Sequence, residues 1–557
     1  MGGEQFSMGQ KTRLLSSYWP RDTSQHMIST TLGELLRGAA QKSPDRIALV
    51  EGIPDKEARR RWTYRDLLDQ ADRIARSLLA RFQPGERVAI CSPNCPEWVL
   101  LQLGASLAGI ILVPMNPAFR KAEIDHILKT AGAAGLFFTD RYRDVDLAAI
   151  VRDLAPGLPD LRVTVSLSDW DDFVSSAPSD VPLPEIGPDD ILQIQFTSGT
   201  TGFPKGACLT HRGVITSATY SARVGGLPDG GVWINAMPMF HIGGVATEIG
   251  TFAQNGTYVL MPGFDAGLML ELFESERGVT TLVVPTMLHG LLEHPDINRR
   301  DTSSIQVIAC GASAVPPPLI RRAKQTFGCD FTIPFGQTEL SGMFCQALPS
   351  DSTEDQCETV GRPLPHVEVK IADPLTGDVR ATGEIGEIWV RGYQTMTGFF
   401  GMPEETRKTI TDDGWLKTGD LATMDDRGYL RITGRLKDMI IRGGMNLYPA
   451  EIEYVLVNHP NVAQVSVVGV ADEKWGEVVA AVIVPASSNV SPDPDMLDAY
   501  CRESLAAHKT PSLWYFVESF PTNATGKVQK FAIQDWIRSG SITPTKTTFQ
   551  KQREASG

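Results

Sequence analysis

The sequence predicts an α/β protein: a large N-terminal domain of doubly wound sheets, a β-rich subdomain, and a small α+β C-terminal domain. Three observations carry this. Strand-like and helix-like segments alternate from Thr63 to about residue 330, the order that builds a parallel sheet covered on both faces. From about residue 360 short strands and glycine turns take over, as in Gly383-Glu-Ile-Gly-Glu-Ile-Trp-Val-Arg-Gly392. From Arg435 a helix, two strands and another helix form a smaller unit. The boundaries read as 1–434 for the large domain (lobes at about 30–180 and 190–360, β-rich part 361–434), 435–540 for the small domain and 541–557 for a polar tail.

Residues 1–30 are polar and irregular and read as a draped or mobile arm. Thr63 and Asp66 suit a capping box, and Leu67, Leu68, Ala71, Ile74, Ala75, Leu78 and Leu79 then mark one apolar helical face that Pro84-Gly85 ends. Strands are expected at 87–91, 110–113 and 135–138, with helices at about 96–108 and 121–131. Residues 171–189, rich in Asp, Ser and Pro, read as a connector between the lobes. Beyond it, strands are expected at 232–236, 257–261, 281–284 and 306–310, with helices near 268–276, 287–293 and 317–327. In the small domain Pro449 starts a helix at 449–458, strands follow at 464–470 and 478–484, and a helix at about 495–507.

The chain has 557 residues, 42% of them hydrophobic and 21% charged, the balance of a soluble globular protein of several domains. A net charge of −14 argues against nonspecific nucleic-acid binding, which needs surplus Lys and Arg. Cys91 and Cys95 have no second pair to complete a zinc site, so the eight cysteines read as buried thiols in a reducing cytosol. No signal pattern and no membrane-spanning apolar run is present, and a cytoplasmic location is expected.

The most informative stretch is Thr197-Ser-Gly-Thr-Thr-Gly-Phe-Pro-Lys-Gly206. Glycines let the backbone turn tightly and approach a ligand, consecutive N–H groups and hydroxyls make an anion site, and Lys205 adds a point charge. It reads as a phosphate cradle or as a polar surface loop. It does not fit G-x-x-x-x-G-K-[ST], because Lys205 lies between Pro204 and Gly206.

This decapeptide resembles the signature loop of the AMP-forming adenylating enzymes, which include acyl-CoA synthetases, peptide-synthetase adenylation domains and luciferases. Further motifs of that family follow in order over about residues 30–535. The resemblance implies that Thr197, Ser198, Gly199, Thr200, Thr201, Gly202 and Lys205 hold the ATP phosphates. Phe335-Gly336-Gln337-Thr338-Glu339 matches an aromatic-Gly-x-Thr-Glu motif, so Thr338 and Glu339 would meet the α-phosphate and Mg²⁺, with Thr201 as the second metal contact. Gly311, Ala312 and Ala314 would line the adenine and acyl pockets. Asp420, in Thr418-Gly-Asp420, and Arg435 would hold the ribose.

His241 resembles the residue that positions the acyl carboxylate or gates the pantetheine tunnel; Gly243 and Gly244 would leave room for the acid's tail, with Leu340 beside it. Lys437 falls at the family's hinge, which makes the C-terminal domain a mobile lid, and Arg442, Gly443 and Gly444 would approach CoA. Lys527 fits the lysine that touches both the attacking carboxylate and the α-phosphate. Each short motif alone also reads as an ordinary turn, surface lysine or packing contact.

The implied activity is an ATP-dependent acid–CoA ligase acting on a fatty or aryl acid through acyl-AMP, with ATP, Mg²⁺ and CoA required. The expected partners are the acid and CoA, with a homodimer left open. Loading of a carrier protein and a non-catalytic acyl- or nucleotide-binding module remain as alternatives.

Overall fold

Two seven-stranded sheets form the core of the large domain. The computed structural model describes residues 13–178, 180–197, 204–313, 315–486, 492–522, 528–545 and 547. In the first sheet Ile191–Thr197, Ile111–Met115, Arg87–Cys91, Ala133–Phe138 and Val163–Ser166 run parallel. Lys205–Thr210 and Gly398–Phe399 extend it antiparallel. In the second sheet Asp330–Thr332, Val307–Cys310, Thr280–Val283, Val232–Asn235, Thr257–Leu260 and Ile47–Glu51 are parallel, and Arg61–Thr63 closes one edge antiparallel.

The division into lobes at about residue 180–190 is therefore corrected. Residues 191–210 complete the first sheet, and residues 47–63 belong to the second. Each lobe exchanges strands with the other because hydrogen-bond registry, not chain proximity, decides sheet membership.

Helix Tyr64–Leu79 forms as its capping box requires: the Asp66 N–H donates to Thr63 Oγ1 at 3.1 Å, and the Thr63 N–H donates to Asp66 Oδ2 at 2.9 Å. It packs on Pro96–Ala108, which starts at a proline, ends at Gly109 with φ 66° and is buried on almost every side. Two further helices, His211–Val224 and Ile242–Ala253, were not anticipated. Both are buried nearly all round, so they carry no apolar stripe for a sequence pattern to reveal.

Two other expectations are corrected, and one contact reaches into the tail. Part of the connector is helical, because Trp170 and Phe173 on Trp170–Ser175 pack edge-on against Phe137. The arm is anchored over its described part: Tyr18–Trp19 pairs with Glu368–Ala372, and Trp19 is buried. In the polar tail, the Thr545 N–H donates to Trp514 O at 2.7 Å.

Antiparallel strands Glu368–Ala372, Gly386–Arg391, Leu416–Met424 and Leu430–Arg435 make the β-rich subdomain. The small domain is a five-stranded sheet built around Val462–Asp472 and Gly476–Pro485, with Pro449–Val457, Pro494–Ser504 and Lys530–Ser539 as its helices. All eight cysteines are free thiols. No helix among the described residues is long and apolar enough to cross a membrane.

A carboxyl group lies in the core where Pro96–Ala108 meets Ile242–Ala253. Glu248 is fully buried, and its one partner among the described residues is Gln102, whose Nε2 donates to Glu248 Oε2 at 2.9 Å. Burial pushes the Glu248 carboxyl up to about 8, against an ordinary value of 4.5. Between those two pH values the folded protein keeps a proton that the unfolded chain has released, so stability falls as pH rises through the window. Glu248→Gln has no proton to lose. Its thermal stability relative to the parent should improve by about 3 °C or more between pH 5 and pH 8; a pH-independent difference in melting temperature would show that the carboxyl is not held neutral.

Candidate active site

The site is built on a hairpin of Pro334–Gln337 and Gly342–Gln346. A Cβ on Gly336 would sit 1.8 Å from Gly342 O, so only glycine allows the strands to approach this closely. The short helical turn Thr338–Leu340 follows and ends at Ser341 with φ 54°. The turn is tied down where the Met396 N–H donates to Glu339 O at 2.9 Å. Leu340 is fully buried as part of the core.

The Glu339 side chain faces inward. Its neighbours come from three other elements: Thr197 at the end of Ile191–Thr197, and Arg435 and Asp420, which act on it through their charges. Burial raises its pKa, and this dominates over the lowering by Arg435 and Thr197. Thr197 ends Ile191–Thr197 and is the cross-strand partner of Lys205, so the strand pair brackets the predicted phosphate cradle. Ser198, Gly199, Thr200, Thr201 and Gly202 lie outside the described residues, as do Ala314 and Lys527.

Asp420 and Arg435 are cross-strand partners on Leu416–Met424 and Leu430–Arg435, and Arg435 Nε lies 2.9 Å from Asp420 Oδ1. Gly419, with φ 72°, shapes this turn; its N–H donates to Glu387 Oε1 at 2.9 Å, and the Asp420 N–H donates to Thr418 Oγ1 at 3.1 Å. Two residues assigned to the ribose thus hold each other beside Glu339.

Gly311 follows Val307–Cys310 at the end of the second sheet, and a Cβ there would meet Pro334 O at 2.8 Å. This contact sets the Gly311 segment against the strand that carries Phe335, Gly336 and Gln337. Ala312 has φ 64°, a left-handed conformation that a non-glycine residue adopts at some cost. The Phe335 ring packs edge-on to Phe344, with centroids 5.5 Å apart.

His241 is the N-cap residue of Ile242–Ala253, beside the Phe240 ring. Burial pushes its imidazole down to about 4, so the ring is neutral around pH 7. The segment is held by Asn94, whose Nδ2 donates to Met237 O and Met261 O at 3.0 Å, and by Gln195, whose Nε2 donates to Phe240 O at 2.7 Å.

The expectation that Gly244 leaves room for a tail is corrected. A Cβ on Gly244 would lie 2.4 Å from Pro238 O, so its missing side chain accommodates a neighbouring turn. A Cβ on Gly243 would meet Met237 and Leu282 in ordinary contact, at 3.7 and 3.9 Å.

Two partners had no signal in the sequence. Lys205 is ion-paired with Glu405 and lies over the Phe399 ring at 5.4 Å. Lys205, with help from Lys408, holds the Glu405 carboxyl down at about 2. On the small domain Trp475, partly exposed, lies against the Arg442–Gly444 loop: the Gly443 N–H donates to Trp475 O at 2.7 Å, and the Arg442 guanidinium sits 5.8 Å from the indole. Only pairing across strands brings either partner near. Lys437 lies in the turn Leu436–Asp438, between the last strand of the β-rich sheet and Ile440–Arg442 of the small sheet.

Among the described residues no cluster of three or more His, Cys, Asp or Glu could hold a metal. The half-buried Glu339 carboxylate is nevertheless a donor that suits Mg²⁺, which takes one or two carboxylates together with phosphate oxygens and water.

Comparison with known proteins agrees with this arrangement. The AMP-binding enzyme family model matches residues 36–400, and the AMP-binding enzyme C-terminal domain matches residues 451–527. The chain is 37% identical over 539 residues to the putative acyl-CoA synthetase YngI of Bacillus subtilis, covering 91% of this chain and 97% of that one. It is 33% identical over 554 residues to the mitochondrial medium-chain acyl-CoA ligase ACSF2 of Homo sapiens, covering 93% and 89%. The ATP-bound structure of MatB from Rhodopseudomonas palustris superimposes with a TM-score of 0.82 at 29% identity, over 91% of this chain and 99% of that one. The o-succinylbenzoate CoA synthetase MenE of Bacillus subtilis, in complex with its acyl-adenylate intermediate, gives 0.79 at 29% identity over the same shares. The chain belongs to the AMP-binding enzyme family, in its acyl-CoA ligase branch.

Proposed function

We propose that the protein joins an apolar-tailed carboxylic acid, of medium-chain fatty or aryl type, to CoA through an acyl-AMP intermediate. The observation that carries this is the Asp420–Arg435 ion pair set beside Glu339 at the end of the strand that leads into the Thr197–Gly206 run. The acyl-CoA ligase relatives support the CoA acceptor, and the medium-chain ligase among them supports the tail class. Trp475 beside Arg442 favours a free nucleotide-bearing thiol over a carrier protein, since an indole and a guanidinium suit a base and a phosphate.

In the first half-reaction a carboxylate oxygen of the acid attacks the α-phosphorus of ATP, the bond to the β-phosphate oxygen breaks, and pyrophosphate leaves. The attacking group is already ionised, so no general base is needed. Thr197 and Glu339 hold the phosphate end, Asp420 and Arg435 the ribose, and His241 directs the carboxylate by hydrogen bonding. Mg²⁺ held at Glu339 would neutralise charge on the phosphates. Lys527 contacts both reacting partners and stabilises charge growing in the transition state. In the second half-reaction the CoA thiol loses its proton, its sulfur attacks the acyl carbon, and AMP departs. Lys527 and the thiol need the same approach, so the small domain turns about Lys437 between the steps.

Two outcomes follow. Lys527→Ala should lower acid-dependent ATP–pyrophosphate exchange by about 10²-fold or more while largely sparing thioester formation from synthetic acyl-AMP; equal losses in both assays would contradict the role of Lys527. Glu339→Gln should lower the same exchange by about 10²-fold, and raising Mg²⁺ should recover part of it. Unchanged exchange in this variant would remove Glu339 from the phosphate site.

A further inference from the structure

Beside Pro334, which Gly311 approaches, and Met343 of the site hairpin lies a narrow cavity of about 20 Å³, room for one water molecule. One wall is the face of the second sheet that looks toward Ile242–Ala253. Leu282 and Ala309 are paired across adjacent strands at the end nearest the site. Leu282 is also the side chain that Gly243 faces, and Ala309 precedes Gly311 by two residues. Toward the other end of these strands Trp233, paired with Thr280, lines the cavity. Thr280 in turn pairs with Val307, so Trp233 lies four strand positions below Gly311, a depth of about 13 Å.

The walls differ in stiffness. Gln346 is fixed on two sides: Ser221 Oγ donates to its Oε1 at 2.6 Å, and its Nε2 donates to Thr332 Oγ1 at 3.0 Å. Trp233 is buried on a central strand bonded on both edges, so its backbone is fixed and its indole is confined by close-packed neighbours. Met343, which flanks the mouth, is unbranched and only half-buried, so it can swing away. A ligand entering from the site can therefore widen the passage at Met343 but not lengthen it past the indole.

We infer that this cavity is the far end of the acid's binding site and that Trp233 is its floor, the residue that sets the longest tail the enzyme accepts. The inference rests on the proposed ligase function and deepens it: the favoured acids are slender, of medium length, and unsubstituted at the tail end. Longer chains meet the indole before their carboxylate can reach His241.

The test is a series of straight-chain acids from butanoate to hexadecanoate, scored by kcat/KM for AMP release with the full-length protein, Trp233→Ala and Ala309→Leu. A ratio between two acids within one variant cancels any general loss of stability. Trp233→Ala should raise the dodecanoate-to-octanoate ratio about tenfold or more, since each methylene gained or lost in an apolar pocket changes rates on that scale. Ala309→Leu, which fills the passage near its mouth, should lower the octanoate-to-butanoate ratio by a similar factor. If Trp233→Ala does not fold, Trp233→Leu carries the same expectation at smaller size. An unchanged chain-length profile in the folded Trp233 variant overturns the assignment and leaves the cavity as a water site. Failure of the unmodified protein to form acyl-AMP with any acid would instead defeat the ligase reading itself, and the floor with it.

Discussion

Glu339 is a half-buried carboxyl group set beside a buried one, Asp420, a placement that is costly unless something offsets it. Arg435 provides the offset: it pairs with Asp420 at 2.9 Å and lowers the charge cost of Glu339 as well. A threonine hydroxyl, Thr197, completes the arrangement. The four residues come from the first sheet, the hairpin after the second sheet, and two strands of the β-rich subdomain. The electrostatic balance at Glu339 therefore depends on all three parts of the large domain being assembled.

Backbone proximity makes this assembly specific. Gly336 against Gly342 and Gly311 against Pro334 allow main chains to meet where any side chain would intervene. These contacts fix where the turn carrying Thr338 and Glu339 emerges. Met396 then ties the turn to the segment leading to Phe399 and Glu405, so Lys205 and Glu339 share one scaffold. Lys437 lies two residues after Arg435, so the junction to the small domain begins next to the Asp420–Arg435 pair.

Much of the fold was legible because it obeys simple periodicities. Tyr64–Leu79 has one wet face and one dry face, and its cap is local. The parallel strands are short apolar runs separated by helices. His211–Val224 and Ile242–Ala253 escaped because burial on all sides erases the helical stripe. Sheet membership escaped because pairing joins segments far apart in sequence, such as Ile47–Glu51 with Thr257–Leu260. At the site, the motif carrying Glu339 and the Asp420 and Arg435 turns were readable as residue types at set spacings. Glu405 and Trp475 were not, since each matters only through a spatial neighbour. Gly244 was misread for a related reason: a glycine marks a close approach, and the sequence does not say whether a ligand or the chain itself approaches.

The central claim is that Glu339 and Arg435 act within one electrostatic unit during adenylation. A double-mutant cycle on acid-dependent ATP–pyrophosphate exchange, using Glu339→Gln, Arg435→Ala and the pair, tests it most directly. A coupling of about 1 kcal/mol or more, the double variant losing far less than the product of the single losses, is the expected result. Losses that combine additively to within about 0.5 kcal/mol would contradict it and separate the two residues into independent sites.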